Sequence, residues 1–272
     1  MINERFYAVK TSNSIKKSII KRANMKNKVN EAVINEFSGK DFLKVSELAC
    51  GLGVSESTVR RSLADLEKKG LIKRAHGGAV LAERNNLTTS FTYRTHKNVL
   101  EKRKIALKAV RLICDGDVIF IDASTTAYFI VEYLNEFDNL TVVTNGVDTL
   151  SLLAKYKIPV ISTGGKISGV LNSALTGPFA ENLVESVNAD VAFFSAQSVN
   201  KKGEIFDMDE CENNVVRKMI KNAERTVFLC DGGKFGKPAP YKVCDLSTVS
   251  DFICDSDISD FFDEKPKCNM IF

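Results

Sequence analysis

The segment comprising residues 54–66 is the part of the sequence that most constrains the fold. Val59, Leu63 and Leu66 recur at the spacing of successive helical turns, so they line one face of a helix that Ser55 can cap. The opposite face carries small hydroxyls and guanidinium groups that would point to solvent together. These outward residues are Ser57, Arg61, Ala64 and Lys68, with Thr58 and Arg60 on the flanks. The segment therefore predicts an amphipathic helix with a buried apolar face and a basic polar face.

Two further helices are expected before this segment. Residues 46–52 form a short one begun by Ser46, and Gly53 supplies the tight turn into the next helix. An earlier helix is marked by apolar residues at helical spacing, and Gly39 ends it. Its apolar residues are Met25, Val29, Ala32, Val33 and Phe37. The three helices would share one apolar core.

A glycine hairpin follows the helix with the polar face. Gly70 would end that helix, and the runs 71–74 and 79–81 flank a turn with adjacent glycines, which tolerate positive φ. The order of helix, turn, helix and hairpin is that of a winged helix-turn-helix, whose second helix enters the DNA major groove. We therefore predict binding to double-stranded DNA, with a winged helix used only for protein contact as the alternative. The residues expected to face DNA are Ser46, Ser55, Ser57, Thr58, Arg60, Arg61, Lys68, Lys73, Arg74 and His76.

Different residues of this face would have different roles. Arg60 or Arg61 would read guanine edges, because arginine pairs with guanine through two hydrogen bonds. Lys68, Lys73 and Arg74 would hold the phosphate backbone and carry no sequence information. A single winged module is a small footprint on DNA, so we expect a homo-oligomer, a dimer or a tetramer.

Length and charge divide the chain into two parts. A chain of 272 residues is long enough for two domains. Residues 1–85 carry 17 Lys and Arg against 9 Asp and Glu, a net +8, whereas the whole chain is +4, so the remainder is −4. The basic part should meet nucleic acid. We expect a basic tail over residues 1–23, the winged helix-turn-helix over 24–84, a polar linker over 85–98 with its boundary near 85, and a second domain over 99–272.

The second domain alternates short apolar runs with amphipathic segments. Strands are expected at 118–121, 140–143, 159–162, 191–194, 226–230 and 249–253, with helices at 126–134, 146–155, 179–187 and 212–223. Buried strands that alternate with helices predict a doubly wound, mostly parallel sheet covered on both faces. The expected fold class is α/β, preceded by the mainly α winged helix-turn-helix.

Polar residues collect where these strands end, which is where parallel sheets bind ligands. The first strand leads into residues 122–126, three of them hydroxyl residues at a helix start, which can bind a phosphate. An ordinary hydroxyl helix cap is the alternative. The loops after the second, third and fifth strands are 144–146, 163–166 and 231–234. Glycines, hydroxyls and two lysines on one edge favour an anionic polyol over a catalytic metal.

Cysteine and histidine usage limits the remaining classes of site. The seven cysteines form no C-x-x-C pair and fall mostly in apolar runs, so we expect reduced core thiols. His76 and His96 are not spaced to share a metal, and neither a metal nor another cofactor is expected. No apolar run reaches the ~18 residues of a membrane span, and the N-terminus lacks the core of a signal peptide. These features predict a cytoplasmic protein that does not contact membranes.

The residues described so far resemble the DeoR family of bacterial transcriptional regulators. The likeness is densest over residues 54–70 and 74–79 and extends from about residue 26 through almost the entire chain. It includes Arg94, Asn98, Glu101, Lys102, Ile105, Asp122 to Thr126, Thr144, Asn145, Gly164, Gly165, Asp231, Lys234 and Phe235. The resemblance implies an operator-binding winged helix-turn-helix and a sensor domain related in fold to ribose-5-phosphate isomerase.

The same resemblance implies an effector site for a phosphorylated sugar. Carried over by position, its residues are Asp122, Ser124, Thr125, Thr126, Asn145, Gly164, Gly165, Lys166 and Lys234. Asp209 and Glu210 lie in a segment that often carries acids in the family. The chain departs from the family pattern at Ser62, where an aspartate is usual, at residues 196–198, where glycines are frequent, and at Gly233, where a serine is usual. Because Ser62 lies beside the packed helix face, we expect it to change a contact within the protein and to leave DNA binding intact.

The resemblance thus implies a repressor of a carbohydrate-metabolism operon that releases its operator when a phosphorylated sugar binds. Two alternatives remain open. The second domain could be a working sugar-phosphate isomerase, because Asp122, Asp207 and Asp231 are among the acids that could act as a general base. No pair of acids has a spacing that compels catalysis, so we expect a regulator and not an enzyme. An activator would use the same residues.

Overall fold

A computed structural model describes residues 28–37, 42–81, 91–167 and 173–272. The chain forms two compact units, Met1–Lys97 and Asn98–Phe272. The expected basic tail, Met25, Gly39 and residues 85–90 of the expected linker lie outside the described residues.

The first unit packs helices against a small antiparallel sheet. Leu43, Val59 and Leu63 are buried in its core, together with Val33 of the first helix and Phe37 directly after that helix. The three strands lie in the order β1-β3-β2. The elements are α1 over residues 28–36, β1 Phe42–Lys44, α2 Val45–Leu52, α3 Glu56–Lys68, β2 Ile72–Ala75, β3 Gly78–Leu81 and α4 Phe91–His96.

The helix-turn-helix prediction is confirmed, with one error in its capping. Gly53 adopts a left-handed conformation at φ 61° after α2, and the Ser55 hydroxyl accepts the Thr58 N–H at 3.2 Å. Ser46 does not begin α2: the helix starts at Val45, and Lys44 precedes it without a side-chain cap. The start is earlier because β1, which the sequence analysis missed, runs directly into the helix, and the Val45 N–H donates to the Gly77 carbonyl at 2.9 Å.

The segment before the second unit also differs from expectation. Residues Phe91–His96, expected to be irregular linker, form α4, and the Tyr93 ring is buried in the core of the first unit. Helical periodicity was invisible there because α4 is only six residues long and carries just two large apolar side chains.

The second unit is built on a seven-stranded sheet in which every strand pair is parallel. In the strand order β15-β14-β12-β9-β4-β5-β6, the first of these strands in the sequence, β4, lies near the centre. The next strands, β5 and β6, lie on one side of it, and the later strands lie on the other side. Its strands are β4 Val118–Ile121, β5 Thr141–Thr144, β6 Val160–Ser162, β9 Ala189–Phe194, β12 Ala223–Cys230, β14 Asp251–Cys254 and β15 Asn269–Ile271. The strand order reverses between β4 and β9, so this is the switch point at which doubly wound sheets bind ligands.

Helices cover both faces of this sheet, as predicted. One core cluster includes Ile105 and Leu153, and a second on the sheet includes Val184 and Val215. The helices are α5 Val99–Ala109, α6 Thr125–Tyr128, α7 Val147–Tyr156, α8 Pro178–Glu185 and α9 Glu210–Lys221. Short 3-10 turns follow at Val110–Leu112, Phe129–Glu136, Gly232–Lys234, Leu246–Thr248 and Ser259–Phe261.

All six strands expected from apolar runs are present, but the sequence analysis missed the smaller sheets. A two-stranded hairpin joins β7 Lys166–Ile167 to β8 Leu175–Thr176, and an antiparallel sheet has the order β10-β11-β13. The latter comprises β10 Ser198–Val199, β11 Glu204–Asp207 and β13 Tyr241–Asp245. The helix expected over 126–134 is also different, because only Thr125–Tyr128 is α-helical and Phe129–Glu136 is 3-10.

Candidate DNA-binding face and strand-end site

The outward face of α3 is polar and basic, as its sequence predicts. Ser57, Arg60, Arg61 and Lys68 are exposed, whereas Val59, Leu63 and Leu66 are buried in the core. The Arg60 guanidinium pairs with Glu56 at 3.0 Å, and Arg61 Nε donates to the Ser57 carbonyl at 3.2 Å. Of the other residues expected to face DNA, Ser46, Ser55, Lys73, Arg74 and His76 are exposed and Thr58 is half-buried.

The hairpin of β2 and β3, which forms the wing, is joined to α3 by an ion pair between Arg74 and Glu67. Both carboxylate oxygens of Glu67 are used: Oε1 accepts the Arg74 N–H at 3.0 Å and Oε2 accepts Arg74 Nε at 2.6 Å. These bonds hold the pKa of Glu67 below its ordinary value, the backbone bond from Arg74 contributing most. The strand that carries Lys73 and Arg74 is therefore fixed relative to the helix that carries Arg61.

Two adjacent glycines, Gly77 and Gly78, form the turn of the wing, and each position requires glycine for a different reason. Gly77 has φ 77°, a conformation that favours glycine. Gly78 has no such φ, but a Cβ there would lie 2.2 Å from the Leu43 carbonyl oxygen of β1. The expectation of positive φ is thus met at Gly77, whereas Gly78 permits the close approach of β1 and β3.

Ser62 lies on the inner side of α3, where its hydroxyl donates to Asn30 Oδ1 at 2.5 Å. Asn30 Nδ2 in turn donates to Asp65 at 2.7 Å. Both Ser62 and Asn30 are buried. The residue therefore joins α1 to α3 and does not face solvent, which agrees with the expected contact within the protein.

The strand-end site lies in the second unit at the switch point between β4 and β9. We use this name for Asp122, Ser124, Thr125, Thr126, Ser195, Asp231 and Lys234, which follow β4, β9 and β12. Asp122 is buried; its Oδ2 accepts the Ser195 N–H at 3.0 Å, and its Oδ1 accepts the Ser124 hydroxyl at 2.5 Å. The Ser124 hydroxyl also accepts the Ala127 N–H at 3.2 Å and so caps α6.

Lysine side chains meet the hydroxyls of this site. Lys234 Nζ donates to Thr126 Oγ1 at 3.1 Å and to Ser195 Oγ at 2.6 Å. Lys102 of α5 is buried, and its Nζ donates to Thr125 Oγ1 at 3.0 Å. Two ammonium groups therefore contact the hydroxyls of two successive threonines.

The pKa values of the two carboxyl groups of the site are shifted in opposite directions. Burial raises the pKa of Asp122 to about 6, although hydrogen bonds from Ser124 and Ser195 and the Lys234 charge act against the rise. Burial would also raise the pKa of Asp231, but the charges of Lys234 and Lys102 and a hydrogen bond from Asn98 outweigh it and lower the pKa. Asp231 therefore stays ionised near neutral pH, and Asp122 is the group that gains a proton first as the pH falls.

The helix at which a phosphate was expected is shorter than predicted. The expected helix covers 126–134, yet α6 has only four residues. A dipole that short contributes little. Positive charge at the site also comes from Lys234, which was expected there, and from Lys102, which was not.

Comparison with known proteins identifies the two units. Residues 30–85 match the DeoR-like helix-turn-helix domain, and residues 97–256 match the DeoR C terminal sensor domain, which alone spans more than half of the chain. The protein is a DeoR-family transcriptional regulator. The L-fucose operon activator of Haemophilus influenzae is 34% identical over 85% of this chain and 92% of that protein. The putative aga operon transcriptional repressor of Escherichia coli is 27% identical over 84% of this chain and 86% of that protein.

A partial structural likeness to a solved enzyme covers about half of the chain. Ribose 5 phosphate isomerase A from Neisseria gonorrhoeae is 22% identical, covers 49% of this chain and 52% of its own, and gives a TM-score of 0.37. The curated relatives are named transcriptional regulators. The DeoR-family chain is accordingly a DNA-binding regulator and not an isomerase.

Some expected effector residues of this DeoR-family regulator lie apart from the hydrogen bonds of the strand-end site. Asn145 follows β5; its Nδ2 donates to the Leu175 carbonyl at 3.3 Å, and its buried Oδ1 has no hydrogen-bond partner among the described residues. A Cβ on the next residue, Gly146, would lie 3.1 Å from Ala123 Cα, so the loops after β4 and β5 are in contact. Gly164, Gly165 and Lys166 follow β6, and the last two are exposed.

The two acids near α9 have structural partners. Asp209 Oδ1 accepts the Cys211 N–H at 2.8 Å and caps α9. Glu210 accepts the Arg217 guanidinium at 2.9 Å on the same helix, which lowers its pKa.

The sequence analysis missed Lys102 and Ser195 as site residues. Lys102 belongs to the stretch that resembles the family, but nothing in the local sequence indicates that its helix, α5, packs against Thr125. Ser195 directly follows a strand, so its position at a strand end was the available signal. The contacts of Ser195 depend on the order of the strands, which brings the end of β9 beside that of β4. The contact of Lys102 depends on the packing of α5.

The cysteine prediction is partly wrong, because Cys50, Cys114 and Cys211 are exposed. All seven cysteines are free thiols, and Cys230 and Cys254 are buried as expected. Among the described residues, no group of three or more His, Cys, Asp or Glu side chains could hold a metal ion. In that part of the chain, no helix is long and apolar enough to cross a bilayer.

Proposed function

We propose that this DeoR-family regulator represses a carbohydrate-metabolism operon and leaves its operator when a phosphorylated sugar binds the strand-end site. The observation that carries the proposal is the pair of lysines, Lys102 and Lys234, that reach successive threonine hydroxyls at the switch point. Ammonium and hydroxyl donors around one position suit a phosphate monoester. The L-fucose operon activator is named for a sugar operon, which supports a carbohydrate effector.

The DNA half of the proposal rests on α3 and the wing. We propose that Arg60 or Arg61 reads guanine edges, that Ser57 or Thr58 contacts bases or phosphates, and that Lys68, Lys73 and Arg74 bind phosphates. Ser46, Ser55 and His76 are exposed on the same module and complete the proposed face. A single module offers few base contacts, so we propose a homo-oligomer that presents two of them to DNA. Such a regulator works in the cytoplasm, where chromosomal DNA lies.

The proposed effector residues beyond the hydrogen-bonded site are those of the neighbouring strand ends. Asn145, with a buried acceptor oxygen, and the loop Gly164 to Lys166 would contact the sugar hydroxyls. Asp209 and Glu210 would act through the position of α9, because their carboxylates are used there. This assignment places the phosphate at the lysines and the polyol towards β5 and β6.

Calorimetry with a panel of aldose and ketose phosphates, with inorganic phosphate as the minimal probe, tests the site. We expect at least one phosphorylated sugar to bind the full-length chain, and Lys234→Gln to weaken it about tenfold or more, since a hydrogen bond to a charged group contributes at least ~1.5 kcal/mol. Lys201→Gln, an exposed lysine elsewhere on the same unit, should bind like the wild type. If Lys234→Gln binds every panel member as tightly as Lys201→Gln, the proposed site is wrong.

Activation is a second candidate, favoured by the printed name of the H. influenzae relative. It uses the same DNA face and the same effector site. A reporter gene distinguishes repression from activation when its promoter contains an operator selected by the wild-type protein from a random pool of duplexes. Repression predicts higher expression when the regulator is deleted, whereas activation predicts lower expression.

A further inference from the structure

The helix α5 begins at the junction of the two units, and the residue directly before it, Asn98, is hydrogen-bonded to the strand-end site. Asn98 is the first residue of the second unit and has a left-handed backbone, φ 52° and ψ 43°. Its side chain does not cap α5. Instead, Asn98 Nδ2 donates to Asp231 Oδ1 at 2.8 Å, across 133 positions of sequence. The residue that links the units therefore contacts the loop that carries Lys234.

A second bond fixes the same turn of helix to a different loop. The Lys102 N–H donates to the Asn98 carbonyl at 3.0 Å, so the two residues form one hydrogen-bonded turn. Lys102 Nζ donates to Thr125 Oγ1, as described above. The first turn of α5 thus contacts both the loop after β4 and the loop after β12.

Gly233 leaves the space in which Asn98 meets Asp231. Its φ lies outside the left-handed region, so its backbone does not require glycine. A Cβ at this position would lie 3.0 Å from both Asn98 Nδ2 and Asp231 Oδ1, which is closer than side chains ordinarily approach. The Gly233 N–H also donates to Asp231 Oδ1 at 3.1 Å. The absence of a side chain at Gly233 therefore allows one carboxylate oxygen to accept both bonds.

From this arrangement we infer that Asn98 is the residue through which an anion at the strand-end site acts on the chain leading to the DNA-binding unit. The inference rests on the proposed function, because it requires an anionic effector at Lys234 and Thr125. An anion at this site competes as an acceptor with the Thr125 hydroxyl for the Lys102 ammonium and with the Asp231 carboxylate for the positive charge of Lys234. The first turn of α5 then changes position or order, and Asn98 transfers the change to the residue before it. Asn98 is a positioning residue in this scheme and does not contact the effector.

Coupling requires that the anion bind the two arrangements of this turn with different affinity. The effect on DNA is reciprocal, so a variant that uncouples the turn should lose the response of DNA affinity to the anion while keeping each binding event. This split distinguishes a coupling residue from a merely structural one, whose loss would weaken folding or both affinities together.

The matched variants are Asn98→Gly and Asn139→Gly. Both asparagines have left-handed backbones, φ 52° and 56°, so glycine preserves each conformation, but Asn139 is an exposed loop residue. Gly233→Ala places a methyl group against the hydrogen bond between Asn98 and Asp231, so it perturbs that bond independently of Asn98→Gly. A DNA duplex is first selected from a random pool with the wild-type chain.

The experiment measures three quantities for each full-length variant: the Kd for inorganic phosphate, the Kd for the selected duplex, and the duplex Kd at saturating phosphate. Hydrogen exchange of the amides in α5 is followed with and without phosphate. In the wild type and Asn139→Gly, phosphate should weaken duplex binding about fivefold or more and change exchange in the first turn of α5. In Asn98→Gly and Gly233→Ala, both Kd values should stay within about threefold of wild type, while the phosphate effect on duplex binding and on exchange disappears.

Different failures have different meanings. If the wild type binds phosphate and releases the duplex, and Asn98→Gly and Gly233→Ala respond in the same way, the inference is overturned and the proposed function stands. If the wild type binds neither inorganic phosphate nor any sugar phosphate of the panel at this site, the proposed function falls and the inference with it.

Discussion

The backbone N–H of Ser195 donates to the Asp122 carboxylate at 3.0 Å and so joins the ends of β9 and β4. These strands lie side by side at the centre of the sheet, although more than 60 residues separate them in the sequence. The bond spans the point between β4 and β9 at which the strand order reverses. Lys234, which donates to the Ser195 hydroxyl, adds the end of β12 to the same cluster. The effector site that we propose is therefore assembled by topology.

The first prediction concerns sequence readout by α3. Arg61→Ala should weaken binding to the selected duplex by about 1–3 kcal/mol, because an arginine that pairs with guanine contributes that much discrimination. Fluorescence anisotropy with the selected duplex and a scrambled one measures the effect. Arg111→Ala, an exposed arginine of the other unit, is the control. Equal affinity of Arg61→Ala and Arg111→Ala for the selected duplex would exclude Arg61 as the residue that reads guanine.

The second prediction concerns the wing. Lys73 is exposed on β2, next to Arg74, which is paired with Glu67. Lys73→Ala should weaken binding to all duplexes alike and reduce the slope of log affinity against log salt by about 1, because one phosphate contact is lost. Titrations at several salt concentrations give the slope. A sequence-dependent loss with an unchanged slope would show that Lys73 reads bases.

The third prediction concerns the packing of the wing on β1. Gly78→Ala should destabilise the first unit by about 1–3 kcal/mol, because the added methyl group would meet the Leu43 carbonyl. Gly51→Ala, in α2, is the control: nothing lies within 4 Å of its Cβ position, so helix propensity should stabilise it by about 0.5–1 kcal/mol. Urea unfolding followed by circular dichroism measures both. Equal stability of the two variants would contradict the described sheet.

The fourth prediction is a pH dependence with a defined sign. Asp122 titrates at 3.8 when unfolded and at about 6 when folded, so between these values the folded state binds more protons than the unfolded one. Its contribution to stability therefore falls as the pH rises through this window, by about 3 kcal/mol in all. Above the window the loss is complete.

The difference between wild type and Asp122→Asn isolates this contribution from that of other carboxylates, including Asp231, whose lowered pKa acts with the opposite sign. The free energy of unfolding of the wild type minus that of Asp122→Asn should decrease as the pH rises. Unfolding titrations from about pH 4 to about pH 7 measure both slopes. Parallel slopes would show that Asp122 is not the buried titrating group.

The sequence predicted the main elements because each carried its own periodic signal. Five of the six predicted strands are apolar runs that are largely buried, whereas β6 lies at the edge of the sheet and is partly exposed. The helix α3 has a strongly amphipathic pattern. In contrast, β1 and β15 have three residues each, and β15 lies at the edge of its sheet. Strands this short, whose pairing depends on distant residues, give no period that can be read locally.

The candidate site was predictable to the extent that it consists of strand ends. Asp122, Thr126 and Lys234 could be placed together because parallel strands end at one edge. Lys102 and Asn98 could not, because they lie on the first turn of a helix, and only the packing of α5 brings them to Thr125 and Asp231. Ser46 was wrongly taken as a helix cap because the strand before it was not seen.

The central claim is that a phosphorylated sugar at the strand-end site controls DNA binding by the winged module. The most direct measurement titrates the full-length wild type onto its selected duplex with and without the tightest-binding member of the sugar-phosphate panel, alongside Lys234→Gln. We predict that this compound weakens wild-type binding by about fivefold or more and leaves binding by Lys234→Gln unchanged. Wild-type affinity that is the same with and without the saturating compound would contradict the claim.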